Sequence, residues 1–263
     1  MLRLMAVLAH PDDESLGFGG TLARYAAEGV EVTLVTATRG ERGRVETHAT
    51  RPSTGEVGRL REAELRAAAA TLGVRHVEVL GYADAALDRA DPREAAARIA
   101  AHVRRARPQV VLTFAPDGAY GHPDHIAISQ LTTAAVVAAA GPPPDGGPPH
   151  TVSKLYYMAW STATWDAYQS AFKTLVSRVD GVERRASAWP DWSITTRIDT
   201  RAHWPTVWQA VQCHQTQIAN YTKLAKLPAP LHEALWGRQE FYRAFSLVNG
   251  GRTPETDLFA GLR

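Results

Sequence analysis

The chain has 263 residues and carries 29 Lys and Arg against 27 Asp and Glu, a net charge of +2 at pH 7. This near balance gives no reason to expect binding to nucleic acid or to an anionic membrane surface. The single cysteine, Cys213, cannot form an internal disulfide. No window reaches the roughly 18 apolar residues that a membrane-spanning helix needs, and the segment before His10 is too short for a signal peptide. We therefore expect a cytoplasmic globular protein.

Short Val- and Leu-rich runs recur along the chain, and Ala-rich stretches with helical spacing separate most of them. The runs lie at residues 2–9, 31–37, 76–81, 109–115 and 153–160. The segment Asp91-Pro92-Arg93-Glu94 predicts a helix start, because it combines an N-cap, a proline at the first helical position and a capping-box glutamate. The pattern predicts an α/β fold, a Rossmann-like and mostly parallel sheet sandwiched by helices. If the run at 109–115 is the fourth strand in the order 3-2-1-4-5, the loops after strands 1 and 4 meet at one crevice.

A Pro/Gly-rich linker at residues 141–150 divides the chain. We expect residues 1–140 to form the catalytic core, and residues 151–263 to complete the sheet and the substrate pocket within one continuous domain. All seven tryptophans lie in this C-terminal portion. Tryptophans fill cores and subunit interfaces more often than sugar pockets, so we expect a homo-oligomer. The stretch 39–58 lacks apolar periodicity and is long for a connection in this fold, which favours a functional loop.

Two clusters of histidine and aspartate follow the predicted first and fourth strands. They are His10-Pro11-Asp12-Asp13-Glu14 and Tyr120-Gly121-His122-Pro123-Asp124-His125. A catalytic zinc takes three protein ligands from His, Asp or Glu and leaves one position open. His10 and Asp13 are three residues apart at a helix start and can converge on one ion. Either His122 or His125 then completes the site, and the other histidine stays free for the substrate.

The remaining side chains of the two clusters suit acid–base chemistry. Asp12 adjoins a ligand but points elsewhere, so we expect it to accept a proton from water as the general base. The histidine that is not a ligand, if protonated and oriented by Asp124, would stabilise the oxyanion and give a proton to the leaving amine. The residues by themselves thus predict metal-assisted hydrolysis.

The two motifs resemble those of the zinc-dependent de-N-acetylases related to N-acetylglucosaminyl-phosphatidylinositol deacetylase, the LmbE-like or PIG-L family. Further similar segments follow in order: Thr38-Arg39-Gly40-Glu41-Arg42-Gly43, Arg61-Glu62-Ala63-Glu64-Leu65, Gly81-Tyr82-Ala83-Asp84 and His214-Gln215-Thr216-Gln217. The resemblance covers most of the chain and is weakest at residues 160–205. It implies a Rossmann-like deacetylase that converts an N-acetylglucosamine-type conjugate, a small-molecule amino sugar, to a free amine and acetate.

The resemblance also implies a metal centre. His10, Asp13 and His125 would hold one Zn²⁺ ion per chain, and Fe²⁺, Co²⁺ or Ni²⁺ would be accepted by the same donors.

The remaining roles that the resemblance implies are catalytic and substrate-binding. Asp12 would be the general base, His122 the acid or oxyanion stabiliser, Asp124 the residue that orients His122, and Tyr120 a residue that closes over the substrate carbonyl. The implied substrate-binding residues are Glu41, Arg61 and Asp84. His214 resembles a family position near the site, and its spacing assigns it no role.

Three other classes of protein compete with this interpretation. The segment Gly17-Phe18-Gly19-Gly20 after the first strand is compatible with a dinucleotide-binding oxidoreductase, but its spacing does not match G-x-G-x-x-G. A metal-dependent phosphoesterase is a stronger alternative, although two-metal sites usually use more ligands than these motifs supply. A non-catalytic sugar- or metal-binding protein of the same fold would be expected to lack Asp12 or His122.

Overall fold

A single sheet of seven strands dominates the part of the chain that the computed structural model describes. The described residues are 1–43, 45, 52–143, 146–171, 176–179, 181–185, 187–249 and 253–263. The predicted functional loop at 39–58 and the predicted linker at 141–150 therefore lie partly outside the described residues.

The strands in chain order are β1 Arg3–Leu8, β2 Glu31–Thr38, β3 His76–Tyr82, β4 Val110–Thr113, β5 Lys154–Met158, β6 Val176–Val179, β7 Val182–Arg185, β8 Thr196–Asp199 and β9 Arg238–Ser246. The sheet order is β3-β2-β1-β4-β5-β9-β8. The first five of these strands pair in parallel, and β9 and β8 continue the sheet antiparallel. The predicted order 3-2-1-4-5 is confirmed. Strands β6 and β7 form a separate hairpin.

The helices in chain order are α1 Asp13–Leu16, α2 Gly19–Ala27, α3 Thr54–Thr71, α4 Pro92–Ala106, α5 Gly118–Gly121, α6 Pro123–Ala139, α7 Thr162–Ala171, α8 Trp204–Cys213, α9 Thr222–Ala225 and α10 Ala229–Trp236. Helix α4 packs on α6, and α2 and α3 pack on α8. Helices thus flank a mostly parallel sheet, and the predicted α/β class is confirmed. Among the described residues, no helix combines the length and the apolar character needed to cross a bilayer.

The buried strand β1 and the start of helix α4 form where the local sequence predicts them. Residues 4–8 of β1 are fully buried, as expected of a central parallel strand that is covered on both faces. Helix α4 begins at Pro92, and the Asp91 carboxylate accepts a hydrogen bond from the Glu94 backbone N–H. Because β1 and β4 are neighbours, the two loops that carry the His/Asp clusters leave the sheet side by side.

A buried ionic cluster fastens the C-terminal segment to the sheet. The Lys154 side chain is fully buried, and its Nζ donates to Glu255 Oε1 at 2.8 Å. The hydroxyl of Tyr156 donates to Glu255 Oε2 at 2.6 Å, and Asn249 Nδ2 donates to Oε1 at 3.0 Å. Arg243 Nη1 lies 2.8 Å from the same Oε1. Glu255 therefore compensates two cations that would otherwise be buried without a counter-charge.

We expect Glu255→Ala to lower the free energy of unfolding by about 3–5 kcal/mol, because it leaves Lys154 as an uncompensated buried charge. Urea unfolding followed by circular dichroism measures this change. The matched control is Glu183→Ala on the exposed β7, whose ion pairs lie in solvent and whose loss should hardly move the midpoint. Equal midpoints for the two variants would contradict the stabilising role of the cluster.

Candidate metal centre and active site

The first cluster occupies the turn between β1 and α1. Asp12 has φ 94° and ψ −24°, a left-handed conformation that turns the chain sharply into α1. The Asp13 carboxylate folds back over this turn, where its Oδ2 accepts hydrogen bonds from the backbone N–H groups of His10 at 2.8 Å and Ala9 at 3.2 Å. The turn therefore fixes the Asp13 carboxylate next to the His10 ring.

The second cluster begins α6. His122 caps this helix, and its Nδ1 accepts a hydrogen bond from the Asp124 backbone N–H at 3.2 Å. Pro123 occupies the first helical position, where its missing N–H costs nothing. His125 lies one turn further on and is 2% exposed. The helix start thus aims both histidines at the first cluster.

Donor atoms of three side chains from the two clusters lie close together. His10 Nδ1 lies 3.2 Å from His125 Nε2 and 3.7 Å from Asp13 Oδ2, and His125 Nε2 lies 3.4 Å from Asp13 Oδ1. An ion held tetrahedrally at about 2.0–2.1 Å from each donor keeps those donors about 3.3–3.4 Å apart. The 3.2 Å between the two nitrogens and the 3.4 Å between His125 Nε2 and Asp13 Oδ1 match this spacing.

The outer ring nitrogens of both histidines face hydrogen-bond acceptors. His10 Nε2 contacts Asp124 Oδ2 at 3.1 Å and Asp84 Oδ1 at 3.3 Å, and carboxylates can only accept. His125 Nδ1 faces the carbonyl of Gly118 at 3.3 Å, also an acceptor. In the neutral rings the protons therefore sit on these outer atoms. Between the inner nitrogens, which lie 3.2 Å apart, a proton on His10 makes a hydrogen bond, and a metal cation that replaces this proton would bind both lone pairs.

Two other groups of potential ligands share His10. His122 joins His10 and His125, with donor atoms within 4.8 Å of one another. The group of His10, Asp84 and Asp124 is equally close, but there the His10 Nε2–H points at two acceptors, which makes it a hydrogen-bonding arrangement. The set that the resemblance implies, His10, Asp13 and His125, stays a prediction; its distances of 3.7 and 3.4 Å run to different oxygens of Asp13.

The electrostatics of the cluster favour a positive charge at its centre. Burial lowers the pKa of His10, but the carboxylates of Asp124, Asp84 and Asp13 outweigh it and raise that pKa to about 10. Burial raises the pKa of Asp13, and His125 and His10 more than reverse this, so that its pKa lies well below the usual range. The carboxylates that stabilise an imidazolium stabilise a metal cation in the same place.

Asp12 is held by two residues from distant parts of the chain. Its Oδ2 accepts a hydrogen bond from the hydroxyl of Tyr221 at 2.6 Å and from Arg61 Nη2 at 3.2 Å. Burial, together with the Asp13 charge, raises the pKa of Asp12 despite the opposing effect of Arg61. Tyr221 lies 209 residues from Asp12 along the chain, and no local sequence pattern predicts this contact. One carboxylate oxygen of Asp12 is thus fixed, while the residue lines a pocket beside Asp13 and His125.

His214 supports the same turn through Glu14. Both side chains are fully buried, and His214 Nε2 lies 2.8 Å from Glu14 Oε1. Glu14 Oε2 accepts the backbone N–H of Asp12 at 2.9 Å. His214, to which the sequence assigned no role, therefore lies behind the site. It binds Glu14, and Glu14 in turn binds the backbone of Asp12.

The expected substrate-binding residues lie next to the site, but their polar atoms bond within the protein. Arg61 is buried and donates to the carbonyls of Gly40 at 2.7 Å and Pro11 at 2.6 Å. The backbone N–H of Asp84 donates to Glu41 Oε1 at 2.8 Å, and the Asp84 carboxylate contacts His10. The structure therefore shows Arg61, Glu41 and Asp84 joining the loops around the metal donors, and their contact with substrate stays a prediction.

The expected orientation of His122 by Asp124 is wrong. The Asp124 carboxylate points away from His122, toward His10 and toward the backbone N–H groups of Ala85 at 2.8 Å and Leu87 at 3.0 Å. Only the Asp124 backbone N–H contacts His122, and it donates to Nδ1. His122 therefore carries its proton on Nε2. Burial and the neighbouring His125 and His10 lower the pKa of His122 to about 4, in keeping with a neutral ring.

A pocket of about 170 Å³ opens over the metal donors; we call it the reaction pocket. It combines polar residues at the donors with an apolar wall built partly from the C-terminal portion. Its lining includes Asp12, Asp13, His125, Tyr120, Leu16, Phe114, Met158, Trp160, Tyr168 and Tyr221. The segment that carries Tyr120 is kinked, with Gly118, Ala119 and Gly121 all at positive φ. This kink turns Tyr120 into the pocket.

The crevice between β1 and β4 and its convergent donors define an α/β protein with a candidate metal centre at the carboxyl ends of its strands. A family model described as "PIG-L: GlcNAc-PI de-N-acetylase" matches residues 5–136. The chain belongs to the PIG-L family, as its curated relatives also show. The 1D-myo-inositol 2-acetamido-2-deoxy-alpha-D-glucopyranoside deacetylase of Thermobifida fusca is 37% identical over 291 residues, covering 98% of this chain and 99% of the relative. The protein of the same name from Thermomonospora curvata is 35% identical over 295 residues, covering 99% of this chain and 97% of the relative.

Two solved structures share the fold. The N,N'-diacetylchitobiose deacetylase from Pyrococcus horikoshii superposes with a TM-score of 0.68 at 19% identity, covering 92% of this chain and 83% of that chain. GalB, the 4-carboxy-2-hydroxymuconate hydratase from Pseudomonas putida KT2440, superposes with a TM-score of 0.72 at 20% identity, covering 95% and 99%. Because one is a deacetylase and the other a hydratase, the fold alone does not determine the reaction.

Proposed function

We propose that this chain is a metal-dependent deacetylase that hydrolyses the acetamide of an N-acetylglucosamine-type conjugate, giving a free amine and acetate. The observation that carries the proposal is the set of three convergent donors beside Asp12, a carboxylate with one oxygen fixed and its side chain in the pocket. Membership of the PIG-L family and the names of the relatives from Thermobifida fusca and Thermomonospora curvata support the substrate class.

The residues that would hold the metal are His10 through Nδ1, His125 through Nε2 and Asp13 through its carboxylate. Two imidazoles and one carboxylate are a typical donor set of catalytic zinc, so we assign one Zn²⁺ per chain; Fe²⁺, Co²⁺ and Ni²⁺ suit the same donors. Such a cation polarises an amide carbonyl and makes an attacking water more acidic.

Asp12 is the general base in this proposal. Tyr221 and Arg61 bind its Oδ2, which leaves Oδ1 to accept the proton of the attacking water. The amine must gain a proton as the C–N bond breaks. Asp12 already holds the proton it took from water, so it delivers that proton to the leaving nitrogen.

His122 stabilises the oxyanion in this proposal. A neutral ring with its only proton on Nε2 donates a hydrogen bond readily, but it does not give up that proton near neutral pH. Of the two roles expected for His122, acid or oxyanion stabiliser, the hydrogen bond from the Asp124 backbone to Nδ1 favours the second. Tyr120 lines the reaction pocket beside His125 and would close over the substrate carbonyl.

We expect Asp13→Ala to lose bound metal, and Asp12→Asn to keep it while kcat falls by about 10²–10⁴-fold, the usual contribution of a general base. Elemental analysis gives metal per chain, and amine release from methyl 2-acetamido-2-deoxy-α-D-glucopyranoside gives the rate. Full activity in Asp12→Asn would remove Asp12 as the base.

Substitution of the two histidines of the second cluster should have different effects on metal content and on kcat in the same assays. His125→Ala loses a ligand and should lose the metal, whereas His122→Ala should retain the metal and lose about 10²–10³-fold in kcat, the cost of removing one oxyanion donor. The reverse pattern would exchange the roles of these residues.

Tyr221 should act through Asp12. We expect Tyr221→Phe to retain metal and to lower kcat about tenfold with little change in KM, because a hydrogen bond to a charged group is lost. The matched control is Tyr25→Phe, which removes a buried hydroxyl from another aspartate, Asp257, at 2.9 Å. That control should lower the unfolding midpoint and leave kcat unchanged. A common loss of kcat in both variants would indicate a structural role for Tyr221.

A further inference from the structure

The apolar wall of the reaction pocket faces the acyl part of the proposed substrate. This wall includes Phe114, Met158, Trp160 and Tyr168, and the polar lining includes Asp12 and His125. In an N-acetylated amino sugar, the methyl group of the acetamide is apolar and is bonded directly to the carbonyl carbon that water must attack. Contact of this methyl group with polar side chains would leave them without hydrogen-bond partners. A carbonyl held beside the metal donors therefore directs its methyl group toward the apolar wall.

A second and much smaller cavity, here called the inner cavity, lies behind this wall. Its volume is about 10 Å³, which is space for about one water molecule. Four residues line both the reaction pocket and the inner cavity, and we call them the partition: Gly17, Met158, Trp160 and Tyr168. An acyl chain that extends past the acetyl methyl group therefore meets the partition, and the cavity behind it is too small to take the extra carbons.

Hydrogen bonds and ring stacking hold three members of the partition in place. The hydroxyl of Tyr168 donates to the carbonyl of Leu16. The Trp160 ring stacks on the Tyr168 ring, with their centroids 4.8 Å apart. Gln239 Nε2 donates to the carbonyl of Gly17 at 3.0 Å. A longer acyl chain could displace these three residues only by breaking those contacts.

Met158, the fourth member, is buried against Gly17. A Cβ atom added to Gly17 would lie 2.9 Å from Met158 Sδ and 3.8 Å from its Cε, so the thioether occupies the space that a side chain at position 17 would need. A methionine side chain is unbranched and lacks a strong hydrogen-bonding group. Its position therefore depends on packing, and its length sets the depth of the reaction pocket at this point.

We propose that Met158 determines the length of the acyl group that this chain removes, because its thioether closes the apolar side of the reaction pocket. The inference rests on the proposed deacetylase function and adds the residue that sets acyl specificity. An N-butanoyl group is longer than acetyl by an ethyl group, which would have to enter the space that the thioether fills. Met158→Ala removes Cγ, Sδ and Cε and so joins the reaction pocket to the inner cavity. Water then cleaves the longer amide to the same amine and butanoate.

The test compares kcat/KM for the methyl glycosides of N-acetylglucosamine and N-butanoylglucosamine in the metal-loaded protein. We expect the unaltered protein to prefer the acetyl substrate by about 100-fold, which is within the range for extra methylene groups in an apolar pocket. Met158→Ala should reduce this preference by about tenfold or more, because the ethyl group then has space. The control is Met5→Ala, the same change at a fully buried position of β1, which should lower the unfolding midpoint and leave the preference unchanged.

The other outcomes separate the role of Met158 from the deacetylase function. An unchanged preference in Met158→Ala, or equal rates with both substrates in the unaltered protein, would overturn the role of Met158. If the alanine variants do not fold, Met158→Val and Met5→Val make the same comparison with a smaller loss of buried volume.

Absence of amine release from the N-acetyl glycoside would instead overturn the deacetylase function. In that case, calorimetric titration of Asp12→Asn and of its combination with Met158→Ala with the two glycosides still tests the pocket. A shift of relative affinity toward the N-butanoyl glycoside in the combined variant supports the role of Met158, and an unchanged ratio or an absence of binding refutes it.

Discussion

The Asp124 carboxylate joins the three loops that build the site. It is fully buried and accepts hydrogen bonds from the outer nitrogen of His10 and from the backbone of Ala85 and Leu87. The first contact turns the His10 Nδ1 lone pair inward, toward His125 and Asp13. The other two set the loop after β3, which carries Asp84. A buried carboxylate with several donors is costly to disturb, so this one residue makes the geometry of the metal donors depend on the loop after β3.

A second constraint acts on Asp12. The left-handed conformation of a residue other than glycine costs roughly 1–2 kcal/mol, and it persists only where the surroundings enforce it. Glu14 holds the Asp12 backbone N–H, Arg61 holds the preceding carbonyl, and Tyr221 holds the carboxylate. These contacts come from α1, α3 and the segment before α9. The strained turn therefore aims the base in one direction without relying on the flexibility of its side chain.

The sequence predicted those features that depend on local pattern and on general rules of topology. Buried apolar runs separated by helical spacing predicted the parallel strands, and the topology of doubly wound sheets placed the two His/Asp clusters at one crevice, where they do meet. The choice of His125 over His122 as a ligand came from the resemblance to the PIG-L family and stays a prediction. The antiparallel addition of β9 and β8, the contact of Tyr221 with Asp12 and the true partner of the Asp124 carboxylate were not predicted. Each depends on tertiary contacts between segments that are distant in the chain, from about 40 residues for β8 and β9 to 209 residues for Tyr221 and Asp12, and a single sequence offers no periodic signal for such contacts.

The two halves of the chain contribute different kinds of chemistry. The donors and Asp12 follow parallel strands of the N-terminal half, where the β1–β4 pairing fixes their separation. The C-terminal half supplies Tyr221, the apolar wall with Trp160, and the β6–β7 hairpin that packs on α5. A metal centre needs atoms placed to within tenths of an ångström, which a paired sheet can provide, whereas the shape of a pocket can be changed by segments that lie on the sheet. In this chain the sheet therefore fixes the positions of the donor side chains, while the segments that lie on it shape the pocket above them.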